Sequence, residues 1–240
     1  MVKLLCLVVC WIVFGTVIAT AEERVIPLKG IYKEIDTTRE MQAISTFMKG
    51  TDEQKERLAE TIQEHPERYA PAVFFHLSRY LFEQEEEDDA LFWLYAARIR
   101  TWYDIKRCTD RSVGDSVEVL NGQLPPLLRL IQFEDLANAK SLMKKAIAWD
   151  RKTPHEYDPR WIALHGIKAS LPQAADGKES SLTVPEEQWK DLAEKHRKEY
   201  HKDWLESLKT LGPEQLTQIE AKIKELRAEA DAAAETSDDE

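Results

Sequence analysis

The sequence predicts an all-α protein. Three observations carry this: apolar residues recur at helical spacing along most of the chain, start and stop signals bracket those runs, and no segment sustains the alternation of a half-buried strand. The one mildly β-like piece, "RVIPLKGIYKEI", is limited by Pro27 and Gly30. The expected architecture is a series of antiparallel helical hairpins joined by short turns.

The chain opens on "MVKLLCLVVCWIVFGTVIATA". Lys3 supplies a positive start, Leu4 to Ile18 an apolar run, and Ala19-Thr20-Ala21 a small-x-small cleavage pattern. A membrane span needs roughly 20 apolar residues, and this run is shorter. Residues 1–21 therefore read as a signal peptide cleaved after Ala21, which places the mature chain outside the cytoplasm, in a periplasm. Cys6 and Cys10 leave with the leader, so Cys108 stands alone, without an intrachain disulfide or a cysteine-rich zinc site. Three roles stay open for it: nucleophile, intermolecular bridge, or small buried apolar residue.

Residues 22–170 read as one helical-hairpin unit. "DTTREMQAISTFMKG" pairs Thr37 with Glu40 as a capping box, points Met41, Ile44 and Met48 one way, and stops at Gly50. "TDEQKERLAETIQEHP" repeats that grammar, with Thr51 or Asp52 as cap, Leu58 and Ile62 on one face, and Pro66 as terminator. The apolar "APAVFFHLSRYLFEQ" follows, then a solvated acidic turn in "EEEDD", then "ALFWLYAARIRTWYDIK". Gly114, Asn121-Gly122 and Pro125-Pro126 break the middle into short pieces. "FEDLANAKSLMKKAIAWD" is again one helix, with Leu136, Ala139, Met143, Ala146 and Ile147 inward.

Residues 171–184 read as a polar exposed linker, residues 185–234 as a C-terminal helical pair, and residues 235–240 as an acidic tail. The first helix of that pair is highly charged, with a thin stripe of Trp189, Ala193, Tyr200, Trp204 and Leu208. After Gly212-Pro213, the residues Leu216, Ile219, Ile223, Leu226 and Ala230 mark a coiled-coil-like seam. It suits packing back on the neighbouring helix as a hairpin, or a dimer interface. His196 and His201 read as ordinary surface residues.

The spacing Phe74-x-x-Leu77-Ser78-x-x-Leu81, followed by Ala90-x-x-x-Leu94-x-x-Ala97, resembles one tetratricopeptide-type helical hairpin, covering about residues 70–102. Small residues let the two helices approach and large ones fill the groove. The chain departs from that pattern at Leu81, where an aromatic is usual, and at Trp102, where a Pro closes the repeat. A half-echo at Ala139, Met143 and Ala146 is out of register with a 34-residue period. The resemblance implies a tetratricopeptide-like part without a regular tandem solenoid, and protein or peptide binding as the function.

A net charge of −11 disfavours nucleic acid and anionic lipid surfaces, and suits a basic protein partner or simple solubility. No phosphate loop, nucleophile elbow or paired-histidine zinc motif is present, because Pro159 stands where the second His of an H-E-x-x-H motif beginning at His155 would be. No catalytic residue, cofactor or metal is assigned.

Two stretches remain as candidate binding residues. The first, "RIRTWYDIKRCTDRSVGD", collects Arg98, Arg100, Trp102, Tyr103, Arg107 and Arg111. This basic and aromatic concentration fits a face for an anionic ligand or acidic peptide, or an internal salt-bridge network. The second, "TPHEYDPRWIALHG", reads as a short helix with Asp158 as N-cap, Pro159 in its first turn, Tyr157 and Ile162 as a hydrophobic staple, and Gly166 as its stop. His155 and Glu156 stay outside it. A metal-dependent hydrolase using His155, Glu156, Asp158 and His165 is the enzymatic alternative. The leading expectation is an exported helical scaffold that binds a protein, and the narrower one is a periplasmic immunity or inhibitor protein directed at a toxin.

Overall fold

The computed structural model describes Leu28, residues 30–171 and residues 181–237. The expected leader and cleavage site, residues 1–21, lie outside the described residues, as do residues 172–180 of the expected linker. The protein is all-α, with an isolated antiparallel bridge between Cys108 and Thr183 and no strand among the described residues.

Helix α1 (Thr38–Lys49) starts differently from the expected capping box. The Thr37 side chain makes no capping bond, and Asp36 Oδ1 accepts from the Thr38 N–H at 2.9 Å. Glu40 is drawn away to accept from the Ala70 N–H at 3.4 Å. Helix α2 (Asp52–Glu64) opens on a complete capping box between Thr51 and Gln54, and ends ahead of Pro66.

The body of the protein is the pair α3 (Pro71–Glu83) and α4 (Glu87–Arg107), whose mutual packing is the most extensive in the molecule. The turn between them closes as a Schellman motif: Glu86 N–H donates to Leu81 O at 2.9 Å and Glu85 N–H to Phe82 O at 3.1 Å. Glu85 takes the left-handed φ of 64° that this motif requires. Glu87, Asp88 and Asp89 form the first turn of α4, where carboxylates suit the helix dipole, so three of the five residues of the expected acidic turn are helix. Ala90, Leu94 and Ala97 of α4 are fully buried, as are Phe74 and Leu77 of α3. The Ser78 hydroxyl donates to the Ala90 carbonyl at 2.7 Å, a contact that needs the small side chain at position 90. Burying each large apolar side chain here is worth about 1.5–3 kcal/mol.

Two short helices, α5 (Ser116–Gly122) and α6 (Pro126–Leu130), cross the middle of the chain. Helix α7 (Leu136–Lys152) is capped by Asp135, whose carboxylate accepts from Ala137 and Asn138, and it lies along α4. Its buried face holds the predicted Ala139, Met143, Ala146 and Ile147, with Leu142 and Asp150 besides. A 3-10 helix over Pro159–His165 follows, with Asp158 Oδ1 accepting from the Arg160 N–H at 2.9 Å as expected of the cap. Gly166 stops it. A Cβ at position 166 would collide with the carboxylate of Asp110, which also accepts from the Lys168 N–H at 3.1 Å. Helix α8 (Ile167–Ser170) is a single turn.

The end of the 171–184 segment is not an exposed linker. Leu182 is buried, its carbonyl accepts from the Thr109 N–H at 3.0 Å, and Val184 N–H donates to Arg107 O at 2.8 Å. These bonds deliver the chain to α9 (Trp189–Lys209), which packs on α4 and α7. Helix α10 (Pro213–Ser237) takes up the first three residues of the expected tail. Its seam lies on α6 and the turn Ile131–Phe133 instead of on α9. Ile223 is buried there, and Arg227 is clamped by Glu87 and Glu134. Ala230, expected in the seam, is exposed.

Candidate functional site

Helix α4 is apolar on nearly every side, yet it buries Arg100, Asp104 and Arg107. With Tyr103 these residues fall at positions i, i+3, i+4 and i+7, which places them on one face. That face meets the end of α7, the loop before the 3-10 helix, and the first turns of α9.

Asp104 is wholly inaccessible to solvent and its carboxylate is fully engaged. Oδ1 accepts from Arg107 Nε at 3.0 Å and Nη2 at 2.6 Å. Oδ2 accepts from Trp161 Nε1 at 2.6 Å and from the Tyr157 hydroxyl at 3.1 Å. Trp161 is therefore held by a polar contact as well as by its burial.

A second buried carboxylate, Asp150, sits in the last turn of α7. Oδ1 accepts from Arg100 Nε at 2.8 Å and from His155 Nε2 at 3.0 Å, and Oδ2 accepts from Arg197 Nε at 2.7 Å. Arg100 also donates Nη2 to the carbonyls of Thr153 and Pro154, so it caps the C-terminal end of α7. Its guanidinium lies 4.4 Å from the Trp149 ring. Arg107 is 4.5 Å from Tyr103 and 4.7 Å from Trp189.

Burial alone would raise the Asp150 pKa. The His155 hydrogen bond and the charges of Arg100 and Arg197 outweigh it and hold the carboxyl below its ordinary range. Burial lowers the pKa of His155, against the opposing bond from Asp150. A carboxylate can only accept, so His155 carries its proton on Nε2. His196 follows the same logic: burial brings it down to about 4, while Nε2 donates to the Ile99 carbonyl at 2.8 Å. Its Nδ1 has no hydrogen-bond partner and would hold a stranded donor if protonated. His196 is thus a buried residue, overturning its reading as a surface histidine, because the polar side of α9 faces Tyr103 and Ile99. Cys108 is also buried, and burial raises its thiol pKa, which disfavours a nucleophilic thiolate.

The network opens on a cavity of about 530 Å³ between the end of α7 and the start of α9. Tyr103, Arg107, His155, Trp189 and Arg197 line it. Of the residues singled out by sequence, Arg100, Tyr103, Arg107 and His155 are therefore brought together. Four others are not. Arg98 bonds Asn121 at 2.9 Å on a different side of α4, and Arg111 is exposed, reaching the Lys106 carbonyl at 3.5 Å. Trp102 is partly buried against the core. Glu156 is exposed, and its N–H donates to Glu67 O at 2.8 Å.

The four residues of the hydrolase alternative do not converge. His155 is held by Asp150, Asp158 by Arg160 at 2.7 Å, and His165 stands edge-on to Trp161 at 5.6 Å. Among the described residues no group of three His, Cys, Asp or Glu side chains is placed to hold a metal.

A second concavity lies on another face. It holds about 660 Å³ and is lined mainly by apolar atoms. Met41, Ile44 and Met48 of α1 form one wall; Ala72, His76 and Arg79 of α3, Leu120 of α5, and Trp161, Leu164 and His165 line much of the remainder, with Thr37, Glu40 and Gln123 beside them. The sequence groups Met41, Ile44 and Met48 on one face of α1, and Met41 and Met48 are 62% and 64% exposed. Only Ile44 is half-buried, so the stripe is largely unpartnered.

Comparisons with known proteins add no relative: no family model, no curated protein and no solved structure matches this chain.

Proposed function

We propose that this chain is an exported helical scaffold whose function is to bind another protein. The α3–α4 hairpin would serve as a tetratricopeptide-like frame, and the groove beside α1 would receive an amphipathic helix from the partner. The observation that carries this reading is the position of the exposed large apolar side chains. Among the described residues these are Met41, Met48, Val119, Ile167 and Leu171. The two methionines line the groove; Val119 is adjacent in sequence to groove-lining Leu120, and Ile167 and Leu171 lie just beyond His165. Two of the five, both on α1, thus face one concavity in a chain of net charge −11.

The stripe Met41, Ile44, Met48 has the spacing by which one helix meets another. Methionine suits such a surface because its unbranched, polarisable side chain can repack around a guest. Acidity of the chain favours a partner helix with basic flanks, through faster encounter and complementary fields.

Site-directed photo-crosslinking tests this. A photoreactive residue at position 41 or 48 of the full chain, expressed in its native cells, should trap one protein in a discrete adduct. The same residue at Glu206, exposed on α9, should not. The adduct should disappear when Met41→Lys and Met48→Lys are introduced together with a probe at Ile44. Trapping at position 206 with equal yield, or no adduct at either groove position, rejects the groove as the docking face.

A further inference from the structure

We infer that the first half of α9, residues 189–200, is a clasp on α4 and α7 that stays shut at neutral pH and opens in mild acid, with the buried imidazole of His196 as its release. The clasp shares no residue with the α1 groove and does not depend on it.

Helices α3, α4 and α7 are held by rows of buried apolar side chains, whereas the two residues that α9 buries are His196 and Arg197. Polar ties complete its attachment. Arg197 meets Asp150 of α7 at 2.7 Å, Glu194 meets Arg151 of α7 at 3.2 Å, and Glu199 meets Lys106 of α4 at 2.7 Å. The Tyr103 hydroxyl donates to the Trp189 carbonyl at 3.0 Å, and His196 Nε2 donates to the Ile99 carbonyl at 2.8 Å. A helix attached in this way depends on the charge state of what it buries.

His196 is 2% exposed, and its Nδ1 is buried with no hydrogen-bond partner. A proton there would add a charge and a donor with nothing to accept it. The surroundings offer no relief. From α4 the ring faces Tyr103 and Lys106, from α7 Asp150, and from α9 itself Arg197, Glu199 and Tyr200. His155 lies across Tyr103. Lys106 and Arg197 repel an imidazolium. Asp150 is already shared by Arg100, Arg197 and His155, and Glu199 is taken by Lys106. Burial above all, with those two cations, brings His196 down to about 4, against 6.5 in water. Below pH 6.5 the open form therefore takes up a proton that the closed form refuses. The ratio of open to closed rises about twentyfold from pH 7 to pH 5 and levels off below 4. Asp150 is not the trigger, because its carboxyl is held below its ordinary range and stays ionised throughout.

Native-state hydrogen exchange of the purified chain tests this, at pH 7 and pH 5 and over a series of low urea concentrations, with rates corrected for the intrinsic effect of pH. The amides of residues 193–200 should lose protection about twentyfold between the two pH values. At pH 5 they should exchange faster than those of α3 and with a shallower urea dependence, which marks local opening. His196→Gln keeps a donor for the Ile99 carbonyl but cannot be protonated, and it should abolish the pH effect. Three results overturn the assignment: unchanged protection in α9, exchange of α9 and α3 on one common urea dependence, or a twentyfold loss that survives in His196→Gln. Where that variant does not fold, the wild-type pH profile decides. The loss must set in near pH 6.5 and level off near 4, and a loss confined to lower pH makes Glu194 or Glu199 the trigger and overturns the role of His196.

Discussion

Arg197 of α9 and Asp150 of α7 form a buried ion pair at 2.7 Å, and the same carboxylate takes Arg100 of α4 at 2.8 Å. One aspartate thereby joins three helices that are distant in sequence. Arg197 adds a bond from Nη2 to the Asp150 backbone carbonyl at 3.3 Å, which fixes α9 against the end of α7. The arrangement is directional where apolar packing is not, so it sets the position of α9 as well as its attachment.

Asp150→Asn should therefore be strongly destabilising. It leaves two buried guanidinium groups facing a neutral amide, and breaking one side of a buried pair typically costs about 3–5 kcal/mol. Equilibrium urea unfolding measures it. A loss below about 1 kcal/mol would mean that water or Glu194 replaces the carboxylate, and the organising role assigned to Asp150 would be wrong.

Trp161→Phe keeps an aromatic ring, though a smaller one, and removes the indole N–H that donates to Asp104 at 2.6 Å. Tyr157→Phe removes the hydroxyl donor to the same oxygen at 3.1 Å. Each should cost about 1–3 kcal/mol, because a buried carboxylate loses one of its bonds. The double variant should cost more than the sum, since the second deletion leaves Oδ2 with no donor among these residues. Strict additivity in a double-mutant cycle would show that the two bonds are independent.

The buried histidines give the protein an acid-side weakness. His196 titrates near 4 when folded and at 6.5 when unfolded, so between those values the unfolded chain binds more protons. Stability is therefore complete above pH 6.5, falls as pH drops toward 4, and declines no further from this group below that. The span corresponds to roughly 3 kcal/mol. His155, also lowered by burial, acts in the same direction. Proton resonances of His196 that titrate above pH 6 in the folded chain would contradict this, as would stability unchanged from pH 7 to pH 5.

Much of the helical framework was legible because local rules generate it. The Asp158 cap, the stop at Gly166 and the inward face of α7 follow from neighbours a few residues apart. The Asp104 and Asp150 centres were not, because apart from Arg107 and His155 their side-chain partners lie 47 to 57 residues away. One local sign existed: Arg100, Tyr103, Asp104 and Arg107 form a polar stripe along one face of a largely buried helix. Such a stripe must be neutralised from outside the helix. The failed Thr37/Glu40 box has the same origin, since Ala70 of another segment claims the Glu40 carboxylate. The α1 stripe shows the converse: amphipathic spacing reports a face that seeks a partner, and here the chain supplies little of one.

A pair of substitutions separates these two kinds of apolar position. Ala90 is fully buried against α3, with Ser78 bonded to its carbonyl at 2.7 Å. Ala90→Trp inserts a large ring where two helices touch, and overpacking of this size should cost about 3 kcal/mol or more. Met41→Lys places a charge on a side chain already 62% exposed and should change stability by less than about 0.5 kcal/mol. It should nonetheless abolish capture of the partner. Thermal unfolding of both variants beside crosslinking of the second is the comparison. If Met41→Lys unfolds the chain, α1 packs more tightly than its exposure implies and the groove is part of the core. If Ala90→Trp is tolerated, the close approach of α3 and α4 does not hold.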